Sequence, residues 1–313
     1  MSAGLWLIAS AAAALLGFAV QRGATCTVAA VGDVVLHGRW DRLVALGEAA
    51  LWVAAGLLGA RALGVSMDLP RAYAPGVASL AGGALIGIGA VVNGACVFGA
   101  IARFGSGDWA FAATPLGFFL GCVAFDAAMP APSRLAETGA LVDGPLWLTG
   151  VVAALALWRA WRLATRTRAP TALRWHRRVA HHWTPHAATL VIGACFVVML
   201  LSAGTWAYTD ALAELARGTT ARGGLHLALF TALLGGATLG GWSAGLLGHV
   251  RVRARTVLRC LIGGALMAAG SLLVPGSNDG LLLIGLPLLQ PYAWLACAAM
   301  AGTVAVALRV TRG

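Results

Sequence analysis

The sequence predicts an all-α integral membrane protein, with about nine transmembrane helices and four short re-entrant helices arranged as two inverted, pseudo-symmetric halves. Three observations predict it: a composition that cannot coat a water-facing globule, a series of apolar runs of membrane-spanning length, and an internal repeat. Of the 313 residues, 60% are hydrophobic and only 11% charged. Soluble domains carry about 25% charged residues. The mean hydropathy of +0.84 fits lipid as the solvent.

Spanning helices are expected near 3–20, 43–64, 76–93, 109–129, 145–163, 187–204, 223–247, 256–274 and 291–310. Each approaches the roughly 20 residues needed to cross the hydrocarbon core. The first lacks a basic segment ahead of its apolar run and reads as a retained helix, not a cleaved signal. Four further apolar stretches, 26–37, 96–104, 206–216 and 278–288, are too short or too glycine-broken to span. Such pieces are tolerated at membrane depth only where they line a cavity or pack inside protein.

All 22 basic residues are arginine, giving a formal charge of +11. They sit in loops between apolar runs, without the interleaved aromatics of a nucleic-acid surface, so no nucleic-acid partner is expected. If the short pieces re-enter and leave on one side, Arg39, Arg42, Arg251, Arg253, Arg255, Arg309, Arg312 and the dense run from Arg159 to Arg178 share a face. The other face has Arg61, Arg71, Arg134, Arg217 and Arg222, diluted by Asp68, Glu137 and Asp143. The positive-inside rule then puts the N-terminus in the periplasm and the C-terminus in the cytoplasm.

Gly82-Gly83-Ala84-Leu85 returns as Gly263-Gly264-Ala265-Leu266, and at the same offset Gly89 meets Gly270, Cys96 meets Ser277 and Gly99 meets Gly280. A weaker echo sets Arg22–Cys26 against Ser202–Trp206. The chain thus divides into a first repeat, 1–144, a linking helix and basic loop, 145–186, and a second repeat, 187–313. The linking helix makes the second half enter from the opposite side. Inverted repeats with broken helices meeting near the midplane are the architecture of secondary transporters.

The polar residues collect at the broken helices. Gln21, Arg22, Thr25 and Cys26 precede the first short piece, where Arg22 is either an anchor or a direct substrate contact. Asn93-Gly94-Ala95-Cys96-Val97-Phe98-Gly99 ends one span and opens the next piece. Gly94 and Gly99 permit a tight turn, and Cys96 falls at a helix N-terminus, whose free N–H groups and dipole favour an anion. Gly276-Ser277-Asn278-Asp279 is the counterpart, with Asp279 either a proton or cation partner or a helix cap. Trp206 and Tyr208 read either as interfacial aromatics or as part of the path. Trp206 and Thr209 are counted with Gln21, Arg22, Cys26, Asn93, Gly94, Cys96, Gly99, Gly276, Ser277 and Asn278 as candidate substrate-path residues. Cys122, Cys195, Cys260 and Cys297 read as packing residues. His176, His181, His182 and His186 read as a solvated juxtamembrane stretch, and neither a metal site nor a cofactor is expected.

In these motifs the chain resembles the YeeE/YedE family of sulfur-compound transporters. The likeness rests on Gly17-Phe18, Gln21-Arg22 and Cys26; on Gly82-Gly83, Gly87, Gly89, Gly94 and Cys96-Val97-Phe98-Gly99; and on Trp206, Thr209, Gly263-Gly264, Leu266-Met267, Gly270 and Gly276-Ser277-Asn278. The resemblance implies import of thiosulfate or a related small sulfur anion across the bacterial inner membrane, with no catalytic residues. It also implies a narrow centre between helix ends with cysteines along the path. Cys26 and Cys96 match two such cysteines; the third falls on Ser277. A small sulfur-accepting cytoplasmic protein is a further possible partner beside substrate and membrane lipid. The alternatives are transport of a different small anion or a sulfur or selenium species, and a membrane thiol enzyme handling sulfur.

Overall fold

A computed structural model of the protein describes residues 3–129, 133–166, 183–218, 223–248 and 252–312. Among these the chain is helical, apart from an isolated antiparallel bridge between Tyr73 and Arg134. Among the described residues, nine helices are long and apolar enough to cross a membrane. They lie where the apolar runs place them: α1 (Ala3–Arg22), α3 (Asp41–Ala62), α4 (Val77–Asn93), α6 (Ala113–Phe125), α8 (Leu146–Arg166), α9 (Pro185–Ala203), α11 (Gly223–Ser243), α12 (Ala254–Leu273) and α14 (Pro291–Arg312). Short 3-10 turns at Trp109–Ala112 and Asp126–Ala128 lengthen α6 at both ends, and the one-turn α7 (Ala140–Asp143) precedes α8. The basic loop 167–182, with His176, His181 and His182, lies outside the described residues, as do Arg222 and Arg251.

The four short pieces are also helices: α2 (Thr27–His37), α5 (Val97–Gly105), α10 (Tyr208–Ala216) and α13 (Asn278–Gly280), which continues as a π-turn over Leu281–Gly285. Each follows a long helix across a sharp turn. Between α4 and α5 the turn uses Gly94, whose φ of 82° caps α4 in the left-handed region open to glycine. Between α1 and α2 it passes through Ala24 at φ 46°, a non-glycine residue held there by its surroundings.

Glycine faces set the packing. A Cβ on Gly83 would strike the α14 backbone at Ala296, and one on Gly264 would strike the α6 backbone at Thr114. Gly17 lies against Leu233 of α11, and Gly236 against Ala14 of α1. Without a hydrophobic force between helices in lipid, close backbone approach at small residues is what holds such pairs. On α4 and α12, Gly82 meets Gly270 while Gly89 meets Gly263, so the two helices run antiparallel. The partners recur at the offset seen in the sequence: α1 packs on α11 as α9 packs on α3, and α6 on α12 as α14 on α4. The same offset aligns the starts of α2 and α10, which makes Ala207 the counterpart of Cys26. The one-residue-shifted echo with Trp206 is thereby corrected.

The linking helix α8 stands mostly outside this bundle, exposing Trp147, Leu157 and Trp161. It is tied in by a half-buried cluster: Arg159 Nε donates to Glu48 Oε1 at 2.6 Å, and His186 Nδ1 lies 2.9 Å from Glu48 Oε2. His186 therefore belongs to this half-buried ion cluster, where a solvated segment was expected. Removing one partner of a buried ion pair strands the other charge. Glu48→Ala is expected to cost about 3–5 kcal/mol, read as a lower thermal midpoint in detergent. Gly264→Leu should cost about 1–3 kcal/mol by overpacking, whereas Gly302→Ala, whose Cβ would meet open space, should leave the midpoint unchanged.

Candidate functional site

The first turn of a helix leaves N–H groups without intrahelical partners, and at membrane depth the protein has to supply them. Here the short helices supply one another. The N-cap of α2 is Cys26 and that of α5 is Cys96. The Thr27 N–H donates to Cys96 Sγ at 3.1 Å, so the thiol of one half-helix caps the start of the other. The two thiols lie within hydrogen-bonding reach of each other. Gly99, one turn into α5, leaves the space that Cys26 fills; a Cβ there would collide with the Cys26 side chain.

The second pair is closed by oxygen instead of sulfur. The Asp279 carboxylate accepts from the Thr209 N–H at 3.3 Å and from the Thr209 hydroxyl. Asp279 thus reaches across to cap α10 while also facing the first amides of its own helix. The pairs are joined crosswise: the Thr27 hydroxyl donates to Asn278 Oδ1 at 3.2 Å, and Tyr208 OH donates to the Val97 carbonyl at 3.0 Å. All four half-helix starts meet in one buried knot. Cys96 and Ser277 are both fully buried. The Ser277 hydroxyl and Asn278 Nδ2 have no hydrogen-bond partner among the described residues.

A cavity opens on each side of the knot. One, of about 520 Å³, is lined by Gly276, Gly280, Asp210, Glu214, Arg217 and Tyr292, among others. The other, of about 460 Å³, is lined by Gln21, Cys26, Gly94, Gly99, Arg103 and Ser106, among others. Their walls are built from equivalent stretches, α10 with the end of α12 on one side and α2 with the end of α4 on the other.

The knot therefore gathers Cys26, Cys96, Gly99, Thr209, Ser277 and Asn278. Gln21 lies at the wall of the smaller cavity, its amide donating to Ser106 Oγ at 3.2 Å. Gly276, at φ 113°, forms the turn into α13. Other expected residues support the knot without joining it. Asn93 donates to the Ala95 carbonyl at 2.7 Å and accepts from Thr114 at 2.9 Å, fixing the turn ahead of Cys96. Arg22 is buried but turned away: it bonds Ser243 Oγ at 2.8 Å, stacks over Phe18, and its carbonyl receives the Trp183 N–H at 2.9 Å. It is thus a clamp between α1, α11 and the start of α9. Trp206 and Tyr208 are buried in the knot's wall, so the interfacial reading is corrected. Thr27 and Asp210 were not singled out from the sequence, though each lies within or next to a motif that was.

No cluster of His, Cys, Asp or Glu fit to hold a metal occurs among the described residues. Half-helices that meet head-on between opposed cavities inside a bundle of membrane-spanning helices are the build of a membrane transporter. A family model described as sulphur transport matches residues 22–306. The chain belongs to that family, in agreement with the YeeE/YedE motifs. A search of curated proteins matched none.

Asn93→Ala should leave the Thr114 hydroxyl and the Ala95 carbonyl without their side-chain partner. The expected loss is about 1–3 kcal/mol of stability, measured as a fall in thermal midpoint larger than that of Thr114→Val.

Proposed function

We propose that this sulfur-compound transporter imports thiosulfate, or a closely related small sulfur anion, across the bacterial inner membrane. The carrying observation is the knot of half-helix starts bearing Cys26 and Cys96 between two opposed cavities. A divalent anion leaving water needs compensating dipoles, and inward-facing helix N-termini provide them without a full positive charge that would trap it. Thiols are weak donors, suited to brief contact with the terminal sulfur of thiosulfate. Passage then runs from the larger cavity past Ser277 and Cys96 to Cys26 and the smaller cavity, by transient hydrogen bonds and without covalent transfer. The antiparallel crossing of α4 and α12 at equivalent glycines supports two inverted halves about this centre. The arginine distribution supports a periplasmic N-terminus and a cytoplasmic C-terminus, which makes the smaller cavity the place where a cytoplasmic sulfur-accepting protein would receive the cargo.

One observation favours a second reading. Ser277 offers a hydroxyl where the family pattern has a third thiol, so the outer part of the path is suited to oxyanion oxygens more than to soft sulfur. Sulfite, sulfate or selenium analogues are then candidate cargoes.

The test is uptake into reconstituted vesicles. Wild type should take up thiosulfate in preference to sulfate, and Cys96→Ala and Cys26→Ala should each lower initial uptake at least about tenfold, as loss of roughly 1.4 kcal/mol at the barrier requires. Unchanged uptake in both variants would refute the thiol path. Ser277→Cys should shift preference toward thiosulfate if the hydroxyl sets selectivity.

A further inference from the structure

The two half-helix pairs share a geometry but not a chemistry. Where α2 and α5 have Cys26 and Cys96 as N-caps, α10 and α13 have Ala207 and Ser277. The carboxylates are distributed the other way. Asp210 and Asp279 on α10 and α13 occupy the positions of Ala29 and Phe98 on α2 and α5. The knot therefore has a thiol side and a carboxylate side.

Asp279 is 2% exposed, and no ion pair to it is present among the described residues. Its partners are the Thr209 amide and hydroxyl and the Asp279 and Gly280 amides, and Tyr208 of α10 lies nearby. Asp210 stands one step outward, on the wall of the larger cavity, with its carboxylate against the backbone of Gly280. Around Asp210 are Glu214 and Arg217 on α10, Tyr292 on α14 and Cys122 on α6. Arg217 is itself held by Asp126 at 2.7 Å, and Glu214 faces His226 of α11 at 3.4 Å. A line of carboxylates thus leads from the cavity inward: Glu214, Asp210, Asp279.

An ionised carboxylate at the narrowest point of an anion path is a barrier, because like charges repel strongly where water is excluded. It also holds the Thr209 N–H, a donor that a passing oxyanion would otherwise use. Protonation of Asp279 removes the charge and loosens its hold on that donor. Beside it, the Ser277 hydroxyl and Asn278 Nδ2, both buried and without a hydrogen-bond partner among the described residues, stand ready for a ligand. Intramembrane acids are most often proton relays or ion sites.

We infer that Asp279 is a proton-binding residue that couples movement of the sulfur anion to movement of a proton, with Asp210 exchanging protons between Asp279 and the larger cavity. The inference rests on the transport reading above. One proton binds Asp279 from the larger cavity, the anion passes the neutral carboxyl group, and the proton leaves on the same side as the anion, so the carboxylate is restored.

The experiment uses the full chain in proteoliposomes holding a pH-sensitive dye, with labelled thiosulfate outside and the membrane potential clamped at zero. With the exterior one pH unit more acidic, thiosulfate should accumulate about tenfold if one proton accompanies each anion, and the lumen should acidify as it enters. Asp279→Asn should still exchange labelled for unlabelled thiosulfate, yet accumulate none and acidify nothing. Asp210→Asn should slow net uptake while keeping the accumulation ratio. Wild-type uptake that stops at equal concentrations without luminal acidification overturns the coupling and leaves transport standing; so does accumulation by Asp279→Asn equal to wild type. Wild type that moves no sulfur anion at all overturns both. Should Asp279→Asn fail to reach the membrane, the wild-type accumulation and dye signals decide alone.

Discussion

Lipid offers nothing to a backbone N–H group, and the centre of this protein is organised by that fact. Each half-helix begins inside the bundle, so its first amides need partners at membrane depth. The chain meets the need by exchange: Cys96 takes the Thr27 amide, Asp279 takes the Thr209 amide, and Tyr208 reaches across to the Val97 carbonyl. A knot that satisfies its own termini can sit between two cavities. In the proposed transport those same amides are the donors that an entering anion would meet. The constraint that shapes the fold and the chemistry proposed for transport are thus two uses of one set of groups.

The glycines serve the same end. Gly83, Gly264, Gly17 and Gly236 bring long helices to backbone contact, which leaves little room for lipid and fixes where the turns before the half-helices fall. Asn93 and its Thr114 partner, and Arg22 with Ser243 and the start of α9, then hold those turns. Support lies outside the knot and the polar side chains proposed for the path inside it, a division that accounts for buried Arg22 serving as a clamp.

The long helices were legible because length and apolarity suffice to define them in lipid, and all four short pieces were legible because glycine and polar residues interrupt the apolar pattern. Cys96 and Ser277 stood out through the repeat. Other features were hidden for physical reasons. The sequence shows an aromatic pair at Trp206 and Tyr208 but not its depth, and interfacial aromatics have the same composition as buried ones. Asp279 was noticed as an acid, but a cap on its own helix and a cap on a helix far away in sequence look alike until the chain is folded. His186 gave no sign of Glu48, which is distant in sequence and on another helix. The repeat was visible in glycines, yet its first segment was read one residue out of step because only the helix starts fix the alignment there.

The crossing of α4 with α12, and of α1 with α11, has a consequence for how the protein is made. The first half buries its glycine faces chiefly against helices that come later in the chain. While it emerges from the ribosome, α1, α4 and α6 have no partner for those faces, and α2 and α5 begin at a knot whose other strands do not yet exist. The early helices therefore lack most of their packing partners until the later ones are made. Assembly is a late event, triggered when α9 to α14 arrive and the two halves close on each other like interlaced fingers.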